Sequence, residues 1–554
     1  MSRTVTGQDV TRRGFVAGAA GLAFAGSAAG SALAREARSS PVVQTTSGPV
    51  EGEVLPTSGI SRWLGIPYAK APVGALRWRP PQPVPPWTGA RRTTAFSASP
   101  WAPRTEGKTV FNFHAVGRMD EDCLSVNVWA PADAGDKPRP VMVWIYGGAF
   151  VAGTSDNPLY DGEALAGEGV VFVSINYRVG ILGFFSHPEL AAESGDGISG
   201  NYGLMDQIAA LRWVRDNIAA FGGDPGNVTI LGQSAGAFSV GFHLVMPASR
   251  GLFHRGIAQS GAPMGEPSSY ILLGERAPME QAGLDFAKEV GAVSLADLRT
   301  MAPDALVAAN AAAWRFYPQI DGHFVPEHPF AMVMAGNHAA VPVIVGRNRD
   351  EGSMFPPLGG GTVSGLREEI GAEYRDQISE ALRFFDAADD ASAAKQGHAA
   401  MGDIIFNWNA AALAAALAHS ARAPVYSYQW SYAGAVPAGA VFDEGTGAKL
   451  GAFHGSEIGF ALRTQGARGY GMASGQRDLM DRMSGWWTSF ARTGDPNGSS
   501  AGPTGHWPRY VPGQETVWHI DGAGRDGARA GPVPDRERLE VLGRAMKNTI
   551  VERA

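Results

Sequence analysis

The sequence contains a single cysteine, Cys123. One thiol cannot form a disulfide within the chain, and it excludes a zinc site built from several cysteines. A lone cysteine could act as a nucleophile, but a small buried hydrophobic side chain is its more usual role. Cys123 lies in an alternating segment from Glu121 to Val128, which predicts a β-strand and favours the buried interpretation.

An excess of positive charge is also missing. The chain has 46 Lys and Arg against 53 Asp and Glu, a formal net charge of -7. Because phosphate binding needs concentrated basic side chains, nucleic acid is not an expected partner. Hydrophobic residues make up 45% of the chain and charged residues 18%, which excludes an intrinsically disordered protein. His187, His254 and His323 have no metal-ligand spacing, and we predict no metal.

After residue 34, no segment is expected to be apolar enough to cross a bilayer. Before it, Arg12-Arg13-Gly14-Phe15 precede an Ala/Gly-rich run that ends in Ala32-Leu33-Ala34. This pattern predicts a twin-arginine-like signal peptide over residues 1–34, cleaved after Ala34, and a bacterial protein that is secreted or periplasmic. A membrane anchor is the alternative, but Gly and Ala make such a run a poor one. We expect no stable membrane insertion after cleavage, and the oligomeric state stays open.

Short apolar runs recur at residues 141–145, 170–175, 228–231 and 341–345. Runs of this length, bounded by Gly or polar turns, are typical of strands buried on both faces of a parallel sheet. Between the second and third runs, apolar residues at helical spacing predict a helix that ends at Phe221-Gly222-Gly223. Further helices are expected within 277–315 and 365–420 and from Arg536 to Ile550.

This strand–helix–strand order predicts an α/β fold. We expect a mostly parallel central sheet covered by helices on both faces, with large loop and helical insertions. No repeat or long linker interrupts the sequence, so residues 35–554 are predicted to form one domain.

The most informative motif is Gly232-Gln233-Ser234-Ala235-Gly236, which directly follows the run 228–231 and precedes a second apolar stretch. A strand, a G-x-S-x-G turn and a helix are the context of a nucleophile elbow. The turn is so tight that the residues two before and two after the Ser must be small, and Gly232 and Gly236 meet that need. The helix N-terminus would direct the Ala235 N–H at a developing oxyanion. The alternative is a Gly-rich turn with an incidental Ser, and the flanking strand and helix oppose it.

A second Gly-rich turn, Tyr146-Gly147-Gly148-Ala149-Phe150, follows the run 141–145. Its backbone N–H groups would be free to donate to the same oxyanion. In that role it matches the HGGG-type loop of lipases and esterases. Taken alone, the segment could equally be a tight turn of the sheet.

Together these motifs resemble the type-B carboxylesterase family, the α/β-hydrolase group that includes cholinesterases and bacterial p-nitrobenzyl esterases. The stretch 221–236 is similar to the family's long serine signature, and Glu121-Asp122-Cys123-Leu124 to its second signature. The resemblance extends over essentially the whole chain after residue 34. Further matching segments are Gly251-Leu252-Phe253, Ala258-Gln259-Ser260-Gly261, Asp350-Glu351-Gly352, His454-Gly455-Ser456-Glu457-Ile458 and Trp487 to Asn497.

The resemblance implies a Ser-Glu-His triad, which falls on Ser234, Glu351 and His454 in the order that α/β-hydrolases use. From the residues alone, Asp350 is a rival for the acid because it too follows the run 341–345. Only the resemblance selects Glu351. Of the 12 histidines, His454 is preferred because it lies in a loop-like, Gly-flanked stretch after both the Ser and the acid.

The family's oxyanion donors correspond to the N–H groups of Gly148, Ala149 and Ala235. Ala149 replaces the usual third Gly, and its N–H is retained. The residue before the nucleophile is commonly Glu in the family and is Gln233 here. This weakens the case for choline esters, whose cationic group would be attracted by a carboxylate. The family cysteine that matches Cys123 usually pairs with an upstream cysteine, which this chain lacks.

The resemblance implies a serine esterase, which hydrolyses small carboxylic esters through an acyl-enzyme and needs no cofactor, and the predicted signal peptide implies that it is secreted. Amide, carbamate and thioester bonds are alternatives because the same triad serves them. A non-catalytic binding protein on this fold would have lost the nucleophile or the base, and this chain has both. The insertions at 96–120, 265–335 and 353–366 are expected to form the pocket walls, so the acyl and alcohol preferences stay open.

Overall fold

An 11-stranded sheet forms the centre of the computed structural model, and its strands are numbered β1 to β11 along the chain. Their order in the sheet is β11-β10-β9-β8-β7-β6-β4-β5-β3-β2-β1. The strands from β5 to β10 in that order are parallel, and β1, β2, β3 and β11 pair antiparallel at the two edges. Their bounds are Glu53–Val54, Ile60–Pro67, Ser125–Pro131, Arg139–Ile145, Val171–Ile175, Gly223–Gln233, Arg255–Gln259, Val343–Asn348, Val425–Trp430, Thr516–Ile520 and Ala528–Pro532.

The structure describes residues 40–104, 117–133, 137–268, 270–311, 315–437, 439–443, 445–468, 472–498, 505–522 and 527–553. Ser40–Ala554 form one compact unit. The predicted signal peptide over residues 1–34 lies outside the described residues.

Helices flank the sheet, and their positions agree with the helical spacing in the sequence. Helix Ala235–Val245 packs on β4, β6 and β7, and helix Gln476–Thr493 packs on β4 and β6. The α-helices are Glu163–Gly167, Gly180–Phe184, Pro188–Glu193, Tyr202–Asn217, Ala235–Val245, Arg276–Glu289, Leu295–Thr300, Pro303–Asn310, Pro329–Met334, Val363–Tyr374, Ile378–Ala381, Asp390–Gly402, Trp408–Ser420, Gly447–Leu450, Ile458–Ala461, Gln476–Thr493 and Arg536–Arg553.

Shorter elements lie between these helices and strands. A π-helical segment, Asp403–Asn407, joins two of the helices. Additional short strands are Val42–Gln44, Pro49–Glu51, Arg91–Arg92, Gly274–Glu275, Gln319–Ile320, Val441–Phe442 and Gly445–Thr446. The 3₁₀ turns are Gly74–Leu76, Pro158–Tyr160, Ile218–Phe221, Pro247–Ser249, Glu351–Met354, Leu358–Gly361, Arg375–Gln377 and Gln465–Arg468.

The four apolar runs all lie in or at strands of the parallel part of the sheet. Side chains of β4, β5 and β8 are buried on both faces, which explains why these runs are continuous rather than alternating. The run 228–231 is the inner part of a longer strand, β6. The run 341–345 is displaced: β8 begins at Val343, because Pro342 has no N–H to donate to the ladder.

The prediction of a strand from Glu121 to Val128 was wrong at its beginning. Strand β3 starts at Ser125, and Cys123 lies in the turn that leads into it. The cysteine side chain is 1% exposed, as the buried interpretation predicted. Burial raises the pKa of the Cys123 thiol well above its usual value, so the reactive thiolate is disfavoured.

The expectation that no later segment is apolar enough to cross a bilayer needs a correction. The continuous helical run Asp390–Ser420 is long and apolar enough by length and composition. However, 78% of its apolar window is buried inside the protein, as in a core helix.

Candidate active site

Ser234 lies in the tight turn between β6 and helix Ala235–Val245. Its backbone has φ 58° and ψ -127°, a conformation that L-residues rarely adopt and that marks a strained turn. A side chain on Gly232 would overlap the backbone of Gly236, and one on Gly236 would overlap the carbonyl of Ile145 at the end of β4. The prediction that these two residues must be small is therefore confirmed, and the packing leaves no room even for a Cβ at either position.

Glu351 and His454 lie together, although 103 residues separate them along the chain. Glu351 opens a 3₁₀ turn, Glu351–Met354, just after β8, and His454 lies in the loop before helix Ile458–Ala461. The distance from His454 Nδ1 to Glu351 Oε2 is 2.6 Å. Both residues are only 1% exposed, so water does not screen this contact.

The hydrogen bonds of His454 identify its tautomer. A carboxylate only accepts, so the bond to Glu351 requires a proton on Nδ1. In the neutral ring Nε2 is then an acceptor, and Gln233 Nε2 lies 3.0 Å from it with an N–H to donate. Gln233 directly precedes Ser234, so the unprotonated ring nitrogen lies at the elbow.

Asn348, at the end of β8, holds the acid in place. Its backbone N–H donates to Glu351 Oε1 at 2.6 Å. Its side-chain amide donates to the carbonyl of Phe453 at 2.7 Å and to Glu457 Oε2 at 2.6 Å. Burial, and then the nearby charge of Glu351, raise the pKa of Glu457. Neither Asn348 nor Glu457 was assigned a role from the sequence, although Glu457 lies within the matching segment 454–458 and Asn348 lies two residues before the segment that begins at Asp350.

Asp350, the rival acid, makes different contacts. Its Oδ2 accepts from the Ala452 N–H at 2.7 Å and pairs with Arg349 at 2.9 Å. The side chain is 32% exposed. These bonds tie Asp350 to the backbone that leads into His454, whereas Glu351 contacts the imidazole itself.

Two aromatic rings enclose His454. Phe406 stacks on the imidazole with the ring centroids 4.0 Å apart, and Phe355 lies at 5.5 Å. Phe406 belongs to the π-helical segment Asp403–Asn407, and such segments are frequent at functional sites. Sequence reasoning missed Phe406, because the helical pattern of 365–420 gives no sign of the change in winding.

The Gly-rich turn after β4 packs directly against the elbow. A side chain on Gly147 would come within 2.6 Å of the Gln233 carbonyl oxygen and 2.9 Å of Ser234 Cβ. The next residues all have positive φ: Gly148 at 119°, Ala149 at 54° and Phe150 at 59°. Such backbone strain persists only where surrounding contacts impose it. This favours a loop that is held in position to donate hydrogen bonds over an ordinary tight turn of the sheet.

Three backbone N–H groups are available at this place. Ala235 is the first residue of its helix, where an N–H has no intrahelical acceptor. In the described part of the chain, no protein acceptor is present for the N–H groups of Gly148 and Ala149 either. These are the three predicted oxyanion donors.

Within the described residues, no group of three or more His, Cys, Asp or Glu is arranged to hold a metal ion. The absence of a metal and of a cofactor stays a prediction.

Comparisons with known proteins identify the family of the chain. Residues 39–531 match the model of the carboxylesterase family. A fumonisin B1 esterase from Sphingopyxis macrogoltabida is 36% identical over 485 residues, which cover 85% of this chain and 84% of that protein. A para-nitrobenzyl esterase from Bacillus subtilis is 34% identical over 478 residues, 85% of this chain and 92% of that protein.

A solved structure of a PNB esterase superposes with a TM-score of 0.76 and 30% identity, covering 91% of this chain and 100% of that one. The sheet order, the flanking helices and this match agree with the predicted α/β-hydrolase fold. The chain therefore belongs to the carboxylesterase family and is a carboxylic ester hydrolase.

Proposed function

We propose that ester hydrolysis proceeds through a Ser234-Glu351-His454 triad and an acyl-enzyme. Ser234 Oγ attacks the ester carbonyl while His454 Nε2 accepts the hydroxyl proton. Glu351 holds the proton on Nδ1 and stabilises the imidazolium that forms. The alcohol leaves after His454 returns the proton to it, and water then attacks the acyl-enzyme by the same route.

The oxyanion of each tetrahedral intermediate is bound by the N–H groups of Gly148, Ala149 and Ala235. Such donors act where charge develops, and losing one typically costs about 10²–10³ in rate. The donors belong to the backbone, so the Ala at position 149 serves as well as Gly.

The observation that carries the proposal is the contact between His454 Nδ1 and Glu351 Oε2 at 2.6 Å, with the opposite nitrogen directed at the elbow. Its test is turnover of p-nitrophenyl esters of increasing acyl length, with the p-nitroanilide of the best acyl group as comparison. We expect release of p-nitrophenol from the esters and little release of p-nitroaniline from the anilide. Absence of ester turnover by the folded protein would refute the proposal.

Charge selectivity follows from Gln233, which is fully buried next to His454. A carboxylate there would attract a cationic alcohol group by about 1–4 kcal/mol at ~4 Å, depending on the effective dielectric. Gln lacks that attraction, so kcat/KM for butyrylthiocholine should be well below that for an uncharged butyrate thioester of similar size. The substitution Gln233→Glu should reduce the difference in kcat/KM between these two substrates. A tenfold preference of the wild type for the choline ester, about 1.4 kcal/mol, would contradict this expectation.

We further propose export by the twin-arginine route and hydrolysis outside the cytoplasm. The support is the sequence pattern Arg12-Arg13-Gly14-Phe15 and the small-residue site that ends at Ala34. In the bacterial host, N-terminal sequencing of the exported protein should begin at Arg35. Replacing both arginines by Lys should leave precursor inside the cell. An exported protein that still begins before Ala34 would show that the cleavage site is wrong.

A further inference from the structure

Two tyrosines hold the Gly-rich turn from behind. Tyr146 follows β4 and Tyr177 follows β5, which are neighbouring parallel strands, so both tyrosines emerge at the same edge of the sheet. Their rings stack with centroids 4.4 Å apart and an angle of 15° between the planes. Neither has any exposed surface.

The pair is joined by reciprocal hydrogen bonds to the backbone. The Tyr177 hydroxyl donates to the Tyr146 carbonyl at 2.8 Å, and the Tyr146 hydroxyl donates to the Tyr177 carbonyl at 2.8 Å. The Tyr177 N–H donates to the Tyr146 hydroxyl at 3.2 Å. Burial raises the pKa of both phenols well above the usual value, so both hydroxyls keep the proton that they donate.

The bond to the Tyr146 carbonyl matters because that carbonyl belongs to the peptide that begins the turn. Fixing its direction fixes the plane of the Tyr146–Gly147 peptide, from which Gly148 and Ala149 continue. The segment that follows the turn packs against the same ring, because a side chain on Gly153 would overlap the Tyr146 ring. The residue after Ala149 is tied to the segment after Tyr177 by a bond from the Gly180 N–H to the Phe150 carbonyl at 2.6 Å.

The segment that carries Tyr177 is itself fixed. The Arg178 guanidinium forms a buried ion pair with Asp206 at 2.7 Å, and the Arg178 N–H donates to the same carboxylate at 3.0 Å. The tyrosine pair thus connects a firmly held segment to a turn of three consecutive positive-φ residues, whose conformation needs an outside constraint.

We infer that Tyr146 and Tyr177 are positioning residues that aim the N–H groups of Gly148 and Ala149 at the oxyanion. The inference rests on the proposed function, since it concerns the donors of that mechanism. The tyrosine pair should therefore affect the stabilisation of the transition state and not the binding of the substrate, because the oxyanion exists only after attack on the carbonyl.

The test is Tyr177→Phe, which removes the bond to the Tyr146 carbonyl and keeps the ring stack. We expect kcat to fall by about 10–100-fold with KM changed less than about twofold, because small misplacements of catalytic groups have effects of this size. The inhibition constant of a trifluoromethyl ketone, whose adduct with the serine carries an oxyanion, should rise by the same factor as kcat falls. Tyr146→Phe removes the opposite hydroxyl and should act in the same direction.

The matched control is Tyr68→Phe. Tyr68 is also buried, and its hydroxyl donates to the carbonyl of Asn176 at 2.7 Å, a residue that precedes Tyr177 and is not part of the Gly-rich turn. Its loss should lower the melting temperature with kcat close to wild type. The positioning role is wrong if a folded Tyr177→Phe or Tyr146→Phe variant keeps the wild-type kcat and the wild-type inhibition constant of the ketone. It is also wrong if Tyr68→Phe loses as much kcat and as much affinity for the ketone as those two variants do. Absence of turnover in the wild type would instead refute the proposed function.

Discussion

Ser234→Ala should reduce ester hydrolysis by about 10⁴–10⁶-fold, the loss seen when a triad nucleophile is removed. The hydroxyl is the atom that forms the acyl-enzyme, and no neighbouring group replaces it. The fold should be retained, because Ala occupies the strained backbone of the elbow about as well as Ser and fits between Gly232 and Gly236. Turnover of a p-nitrophenyl ester and the melting temperature are the two measurements.

The matched control is Ser239→Ala, one turn further along the same helix. Ser239 is buried, donates to the Ala235 carbonyl at 2.8 Å and accepts from Gln207 at 3.1 Å. Its loss removes the acceptor of the Gln207 side-chain NH₂ group, at a typical cost of about 1–3 kcal/mol in stability. Activity should remain. Wild-type turnover by a folded Ser234→Ala variant would remove Ser234 from the mechanism.

Glu351→Gln should lower kcat by about 10³–10⁴-fold, comparable with the loss when a triad acid becomes an amide. The reason lies in the two bonds of the carboxylate. The Asn348 N–H donates to Oε1, so the oxygen of the introduced amide must face Asn348. Its NH₂ group then faces His454 Nδ1, which can no longer carry a proton. The ring proton moves to Nε2, the atom that must accept the proton of Ser234.

Asp350→Asn is the comparison for this substitution. The introduced amide oxygen still accepts from the Ala452 N–H, and the ion pair with Arg349 is partly exposed, where such pairs contribute only about 0–1 kcal/mol. Activity should stay within a few-fold of wild type. The reverse ranking of the two variants would move the acid to Asp350.

The elbow and the buried strands were predictable from local pattern. Gly on both sides of Ser234, between an apolar run and an apolar helix, leaves few other structures, and the side-chain overlaps at Gly232 and Gly236 give the steric reason. Strands β4 and β5 were predicted to within two residues, because residues buried on both faces give continuous apolar runs.

Contacts between distant segments could not be predicted in this way. From the residues alone Asp350 and Glu351 were equal candidates; the family resemblance selected Glu351, and the fold shows that its carboxylate contacts the imidazole. Phe406 reaches His454 through a π-helical segment, and the tyrosine pair depends on two strands being neighbours. Neither the winding of a helix nor the order of strands in a sheet is encoded in local periodicity.

The role of Ser234 as the activated nucleophile is tested most directly by labelling the intact, folded protein with a fluorophosphonate. Mass spectrometry of the protein and its peptides then locates the adduct. This reagent reacts with a serine that is activated by a base and transfers its phosphonyl group to Oγ. The triad mechanism predicts one adduct per chain, located on Ser234, and none on the Ser234→Ala variant. A folded wild-type protein that stays unlabelled, or that carries the adduct on another residue, would contradict it.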